Sequence, residues 1–432
     1  MIPQNGGNIF RLCFMLVLQV NLAVNAQDYI RLTGFIIDAT DQKILPFALI
    51  SLAGTNIGTA SNDDGRFSLD IPKMFANDSL AVAYMGYATM KFAIAGLKAK
   101  QNVVLQLKPG LLQLAEVEII GITAEDVIRQ VVANIPDNYG KDSLILTAFI
   151  RSRKFVYGKL AEFTEAIVEN LKIGYNLYPA KEEKERRVES NVPLLIKGRV
   201  ISDTNLVNAM GDIGKSAGCL GCNFIHDFVE FYHNTILDEG LFRFYSFRME
   251  ELTVDGGKVY HIWFDQRKGI KKTLWKGELF VNASDFALLK ITQKPSFEAF
   301  NTYEKDKFRN LYTIDNRSGW YKEMPMMEWT TTYSKRNKYY CLGTIRVENW
   351  LTFVYPPTGQ KAKFAHKNEV VITDATRDVD KIRKFEGDKS IGVNQRWDEV
   401  VGYSDDQFWI EFNYLPVEEK LKESLGELKN KN

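Results

Sequence analysis

The chain has 432 residues, 55 basic and 54 acidic side chains, and a formal net charge of +1. So even a balance supplies no global attraction to nucleic acid or to anionic lipid. With 45% hydrophobic and 12% aromatic residues the chain can bury sizeable cores, and its four cysteines are too few for a disulfide scaffold.

The first residues, MIPQNGGNIFRLCFMLVLQVNLAVNAQDY, combine one basic residue, Arg11, with an apolar run from Leu12 to Val24 and small residues Val24 and Ala26 placed for cleavage. This pattern predicts a secretory signal over residues 1–26 and a processed chain beginning near Gln27. Gln19 and Asn21 interrupt the apolar run, which is too short to remain as an anchor. Cys13 follows Ile9-Phe10-Arg11-Leu12, and an arginine there spoils the small-residue pattern that lipid attachment needs. No later apolar run reaches the roughly 18 residues of a spanning helix, so no transmembrane segment is expected after cleavage. An exported protein, periplasmic or associated with the outer membrane, is the expectation.

From Tyr29 to Leu107 apolar residues alternate in short runs: Ile30–Ile36, Ala48–Leu52, Gly58–Ala60, Arg66–Ile71, Leu80–Tyr84, Thr89–Ala93 and Asn102–Leu107. Turn formers at Asp38–Asp41, Asn62–Gly65, Asn77-Asp78 and around Gly96 separate them. About seven short strands at this spacing predict a β-sandwich over residues 27–108. Asn62-Asp63-Asp64-Gly65 is acidic enough to suggest a cation site. Asp-Gly permits positive φ, however, and Asn and Asp bond their own backbone, so the stretch is expected to be a hairpin turn.

Several runs carry a family resemblance: Gly34-Phe35-Ile36-Ile37-Asp38, Leu45-Pro46-Phe47-Ala48, Gly54-Thr55-Asn56-Ile57-Gly58-Thr59, Asn62-Asp63-Asp64-Gly65-Arg66-Phe67-Ser68-Leu69 and Tyr84-Met85-Gly86-Tyr87. In this order they resemble the carboxypeptidase-regulatory-like domain, a transthyretin-type sandwich that heads many exported proteins of Gram-negative envelopes. The resemblance implies an accessory module without chemistry of its own. A zinc carboxypeptidase would need His-x-x-Glu and a further histidine about a hundred residues on. His366-Lys367-Asn368-Glu369 is followed by no histidine, so the peptidase is expected to be absent.

Residues 109–122, PGLLQLAEVEIIGI, resemble the usual exit strand and linker of that domain. Next, Thr123 is placed as N-cap, and Val127, Ile128, Val131, Val132 and Ile135 share one helical face before Pro136, predicting a helix over Thr123–Ile135. Beyond it, Phe242–Leu252, Lys258–Gln266, Thr273–Val281, Ala287–Gln293, Phe308–Ile314, Tyr321–Ser334, Tyr339–Val354 and Lys361–Thr373 read as strands joined by tight turns. The fold class expected is therefore mainly β: a seven-stranded sandwich, then an α+β domain over 123–432 with a large curved antiparallel meander. Its longest strands require strong twist or a bulge. Mixed charges on both faces, as in Lys271–Glu278, and a tail ending in Lys429-Asn430-Lys431-Asn432 argue against a transmembrane barrel. The hairpin Gly277–Ile291 resembles one in half-barrel lipoprotein carriers of the periplasm. The whole segment, opened by Ala124-Glu125-Asp126-Val127-Ile128 and with Asp405–Tyr414 near its end, resembles the uncharacterised region that follows the regulatory-like domain in many envelope proteins.

Three constellations have residue types that could carry chemistry. Gly214-Lys215-Ser216-Ala217-Gly218 matches a nucleophile elbow, but no buried parallel strand precedes Ser216 and Cys-Leu-Gly-Cys is a poor helix start. Cys219 and Cys222 have redox spacing without a βαβ unit, and adding His226 and His233 gives a possible zinc set of uncommon spacing. A local disulfide or inert thiols, a metal site and a redox pair all remain open for them. Cys341 makes the thiol count of the processed chain odd, leaving at least one thiol free or paired elsewhere. The mixed run Lys181–Arg187 reads as a solvated segment. No residue is thus assigned a catalytic, cofactor-binding or metal role, and no cofactor is expected. The favoured reading is a non-enzymatic envelope protein, a docking or adhesion sandwich joined to a sheet that binds an envelope protein, a glycan or a lipidic ligand. The alternative is a hydrolase using Ser216 or a Cys/His metal site. Sequencing the N-terminus of the exported protein should return a start near Gln27; a start at Met1 or an acyl group on Cys13 would overturn that expectation.

Overall fold

The computed structural model describes residues 29–97, 102–110, 121–177, 191–209, 224, 226–254, 257–296, 311–314, 317–323, 326–387 and 415–429. The expected signal, most of the linker, Lys181–Arg187, Ser216, Cys219, Cys222 and Asp405–Tyr414 lie outside these residues.

All seven expected strands of the sandwich are present: β1 (Tyr29–Asp38), β2 (Leu49–Leu52), β3 (Gly58–Ala60), β4 (Arg66–Pro72), β5 (Ser79–Ala83), β6 (Met90–Ala93) and β7 (Val103–Leu107). They form a sheet in the order β4-β1-β7 and another in the order β3-β2-β5-β6. Alternation explains the core, because Leu32, Ile36, Ile50, Leu69, Leu80 and Leu105 all point between the sheets and are buried. β7 runs parallel to β1 and passes so close that a Cβ on Gly34 would meet the Val103 carbonyl at 2.0 Å. The Asn62–Gly65 turn corrects one expectation. It joins β3 to β4, which belong to different sheets, so it is an arch between layers and not a hairpin.

The second unit is built on a 12-stranded sheet. Its strands are β8 (Leu144–Val156), β9 (Lys159–Lys172), β10 (Asn191–Ser202), β11 (Tyr245–Val254), β12 (Gly257–Gln266), β13 (Trp275–Asn282), β14 (Leu288–Pro295), β15 (Leu311–Ile314), β16 (Arg317–Lys322), β17 (Met326–Arg336), β18 (Tyr339–Tyr355) and β19 (Gln360–Thr376). The main path runs β10-β9-β8-β19-β18-β17-β14-β13-β12-β11, every pair antiparallel. Two meanders are thus zipped together by β19 against β8. The 17-residue strands β18 and β19 carry the anticipated irregularities, at Gly343 opposite Thr332/Tyr333 of β17 and at Thr373 between Ile372 and Asp374. The single run expected over Tyr321–Ser334 is two strands, and Phe242 belongs to a short 3-10 turn, Glu239–Phe244, ahead of β11. β8–β10 go beyond the strands expected from sequence, because charges in Arg151-Ser152-Arg153-Lys154 and along β9 interrupt the apolar alternation.

Helix α1 (Ala124–Ala133) starts as expected: Thr123 Oγ1 accepts the Asp126 N–H at 3.1 Å and the Asp126 carboxylate reaches back to Thr123. Pro136 does not end the helical run. It sits in the first turn of a second short helix, α2 (Ile135–Tyr139), where a missing N–H costs nothing. Val127, Ile128 and Val131 are fully buried and join Ile150, Ile345 and Ile372 of the sheet in the main core, so α1 covers one face of the sheet. A C-terminal helix, α3 (Glu419–Lys429), lays Leu421, Leu425 and Leu428 on Leu160, Phe163 and Ile201. No helix among the described residues is long and apolar enough to cross a membrane.

Val131→Asp should therefore lower stability by about 3 kcal/mol or more, since it buries a charge with no partner. Arg129 is exposed and pairs with Asp126 and Glu239, so Arg129→Asp should cost about 1 kcal/mol or less. Equal shifts of the melting temperature would show that α1 is not packed on the sheet.

Candidate functional site

The face of the large sheet opposite α1 receives the sandwich. Ala60 packs with Phe149, Ile167, Val371 and Leu415, and Met85 reaches Leu252, Val259 and Phe280. Arg336 donates to the Asn56 carbonyl at 2.5 Å, and the guanidinium of Arg346 lies 4.4 Å from the centroid of the Phe47 ring. The arch Asn62-Asp63-Asp64-Gly65 is at the centre of this contact. Its conformation is that of a turn: Asn62 Oδ1 accepts the N–H of Asp64 and of Arg66, and Gly65 adopts φ 71°. Outward, Asn62 Nδ2 donates to the Pro416 carbonyl at 2.9 Å, Asp64 Oδ2 accepts the Glu419 N–H at 2.9 Å, and Arg66 pairs with Glu419 at 3.0 Å. Asp63 faces Arg346 at 3.1 Å and Arg153 at 3.7 Å. The turn is also the dock.

Beneath it the strands present a row of alternating charge in register: Arg199 opposite Glu165, Glu165 opposite Arg151, Arg151 opposite Glu369, and Glu369 opposite Arg346. Opposite charges directly across strands are attractive, and burial by the sandwich strengthens the attraction. Arg151 donates to Glu165 at 2.7 and 2.8 Å, and Arg199 takes the other oxygen of Glu165. Arg153 bonds Glu418 at 3.0 Å and Glu369. Burial opposes the charge on Arg153, but Glu369, Glu418 and Asp63 outweigh it and hold its pKa above the usual range. Burial pushes the Glu369 carboxyl up; Arg153 opposes this and Glu418 reinforces it.

Asp63, Glu369 and Glu418 place carboxylate oxygens within 4.8 Å of one another, close enough for a cation. Arg153 already bridges them, and every acid of the row has a basic partner. A divalent ion would be repelled by that guanidinium, so the cluster reads as an ionic clamp. Glu369 Oε2 and Glu418 Oε2 are buried without a donor, which suits a proton on Glu369 better than a further charge.

Among the described residues, only half of this face is covered. Val259, Phe280, Arg346 and Glu369 lie under the sandwich, while Trp263, Lys276, Trp350 and Lys363 lie further along the same strands on the same face. There two grooves of about 520 and 500 Å³ open, one lined by Arg248, Trp263, Lys276 and Glu278, the other by Phe155, Tyr157, Trp350 and Lys363. The Arg248 guanidinium sits 3.7 Å over the Trp263 ring, and Trp350 is 38% exposed.

The residues singled out from sequence fall elsewhere. His366 and Glu369, three apart on β19, point to opposite faces and cannot share an ion: His366 Nε2 meets Ser152 Oγ at 2.9 Å while Glu369 faces Arg153. Burial, with Lys154 and Arg153 nearby, lowers the His366 pKa to about 4, which makes it a poor base for Ser152 at neutral pH. The His226 ring packs on Trp329 and the His233 ring on Tyr232. Cys341 is buried in the main core, and burial raises its thiol pKa. The clamp itself escaped the sequence reading, since Asp63, Arg153, Glu369 and Glu418 come from distant segments.

Residues 32–119 match the family model described as CarboxypepD_reg-like domain. The N-terminal sandwich is a carboxypeptidase-regulatory-like domain. This chain is similar to the TonB-dependent receptor P3 of Formosa agariphila, 29% identical over 121 residues, 28% of this chain and 12% of that one. It is also similar to the TonB-dependent receptor SusC of Bacteroides thetaiotaomicron, 28% identical over 142 residues, 32% of this chain and 13% of that one. The matches thus span about an eighth of those receptors' length. Among solved structures, a LolA superfamily protein from Nitrosomonas europaea aligns over 61% of this chain and 97% of its own, at 13% identity and a TM-score of 0.19. A putative membrane-associated protein of unknown function from Bacteroides fragilis aligns over 80% and 98%, at 10% identity and a TM-score of 0.14.

The raised Glu369 pKa has a definite sign. Its folded value lies above its unfolded one, so the fold binds the proton first and this group's contribution to stability falls as pH rises through the folded value. Glu369→Gln, which mimics the protonated acid, should melt no lower than the wild type and should flatten this slope. Arg153→Gln strands buried carboxylates and should cost about 3 to 5 kcal/mol. Melting curves between about pH 5 and 8 check both; a Glu369→Gln loss as large as that of Arg153→Gln would show that the clamp needs the charge on Glu369.

Proposed function

We propose that this is a non-enzymatic protein of the cell envelope, exported to the periplasm or the periplasmic side of the outer membrane. In it the sandwich is a fixed brace, and the large sheet binds a partner across the uncovered half of the sandwich-side face. The carrying observation is that half-covered face, with its two grooves flanked by Trp263 and Trp350 beside lysine and arginine. Aromatic side chains ringed by polar groups are the usual anchors of a binding surface. The regulatory-like domain and the receptor names of the relatives favour an envelope setting for it. We place the sandwich at 27–108, the linker at 109–122 and the sheet domain at 123–432. The partner classes this surface suits are an envelope protein, a glycan or a lipidic ligand; the net charge of +1 gives nucleic acid no purchase.

The hydrolase alternative has less support. That alternative uses Ser216 or a Cys/His metal site, and Ser216, Cys219 and Cys222 lie outside the described residues; where a serine and a histidine do meet, Ser152 and His366, the ring's lowered pKa denies the serine an effective base. Purified protein should stay unlabelled by a serine-reactive probe, and metal analysis should be blank.

Trp263→Ala and Trp350→Ala should keep the wild-type melting temperature within a few degrees. In pull-downs from envelope extract both should recover less of whatever the wild type retains. Undiminished recovery by both variants would overturn the placement of the binding surface.

A further inference from the structure

Lys172, the last residue of β9, is fully buried, as is Asp227. Its Nζ lies 2.5 Å from Asp227 Oδ2 and 2.5 Å from Glu230 Oε2. Tyr175 donates to Asp227 Oδ2 at 2.9 Å, and Tyr333 donates to Oδ1 at 2.8 Å. The Tyr139 ring packs on the rings of Tyr175 and Tyr333, and Phe228 and Val229, next to Asp227 in sequence, are buried in the main core. As a plain ion pair this arrangement is expensive. Charges are held away from water, and a second carboxylate leaves one more anion than cations among the three.

We propose that Lys172 and Asp227 react to form an intramolecular amide, with Glu230 carrying the protons. Glu230 takes a proton from the Lys172 ammonium and passes it to Asp227 Oδ2, leaving a free amine beside a neutral carboxylic acid. Burial works against the ammonium while Asp227 and Glu230 hold its pKa above the usual value, so the amine and acid pair is the minor form from which the reaction starts. The amine attacks Asp227 Cγ, and the N–C bond forms. Negative charge then develops on Oδ1, where the Tyr333 hydroxyl already donates. Glu230 removes the surplus proton from nitrogen and delivers it to the Oδ2 hydroxyl, which leaves as water as the C–O bond breaks. One ammonium and one carboxylate become one amide and one water, with no oxidant or activating co-reactant. Two features favour the product: the partners are held at contact, and the Lys172 and Asp227 charges are replaced by a neutral amide, leaving Glu230 as the one ionisable group of the three. The amide would close a loop between residues 55 apart in sequence, tying β9 to the segment that runs beneath Tyr333.

The test is intact-mass spectrometry of the full chain under denaturing conditions, with peptide mapping. Wild-type protein should be lighter than its sequence, counted from the observed N-terminus, by the mass of one water, and trypsin should release a branched peptide joining Lys172 to Asp227. Glu230→Gln should run at its full sequence mass. Asp227→Asn should lose ammonia in place of water and arrive at the wild-type mass. Wild-type protein at full mass, with Lys172 and Asp227 in separate peptides, overturns the proposal, and this holds even if a variant does not fold. Because binding at the outer grooves uses none of these residues, either outcome leaves that reading to its own experiment.

Discussion

The architecture depends on the ion pairs that Arg151 and Arg153 make beneath the sandwich. An antiparallel sheet with one wet face can carry charges on that face at little cost. Here the face is roofed over the very strands that carry Arg151, Arg153, Glu165 and Glu369, and all four are almost without solvent contact. Each must find its counter-charge inside the protein. Some of those counter-charges come from elsewhere in the chain: Asp63 from the sandwich, and Glu418 from the segment leading into α3. Lifting the sandwich away would strand these groups, so the energetic unit is sandwich, sheet and C-terminal segment together. The buried row is retained although apolar residues would pack there as well, which fits a role in fixing register and orientation.

The same constraint explains what the sequence did and did not disclose. Sandwich strands such as β1 and β7 were legible because each exposes one face to water, so polar and apolar residues alternate cleanly. Helix α1 was legible from its cap and its stripe, and the β-hairpins of β11–β14 from their turn residues. β8 and β9 were opaque for a physical reason: both of their faces are covered, but one is covered by partners bearing charge. Period-two reading equates charge with solvent, and Arg151 and Arg153 break that equation.

Of the site, the Asn62–Gly65 arch was legible as a turn and illegible as a dock. Its backbone chemistry is local, whereas its partners Arg153, Arg346, Pro416 and Glu419 lie far along the chain. The family resemblance pointed to an accessory module, and the way the arch is held agrees with a brace. The grooves were hidden for a different reason. Trp263 and Trp350 occupy strand positions equivalent to those of Val259 and Arg346, and among the described residues the footprint of the sandwich decides which half of each strand is covered.

The two buried ionic clusters then differ in one chemical respect that sets their fates apart. Under the sandwich the cations are arginines, which keep their proton in any protein environment and whose planar forks take several carboxylates at once. Those pairs can be broken but cannot react. In the main core the cation is Lys172, whose amine becomes a nucleophile once it gives up a proton, and a second carboxylate stands within reach to take that proton. Phenolic hydroxyls on both oxygens of Asp227 supply the polarisation that an acyl transfer requires. Exchanging the cations would be informative on these grounds: an arginine at 172 could satisfy the charges yet could never close the amide, and a lysine at 153 would have too few fixed donors to bridge Asp63, Glu369 and Glu418.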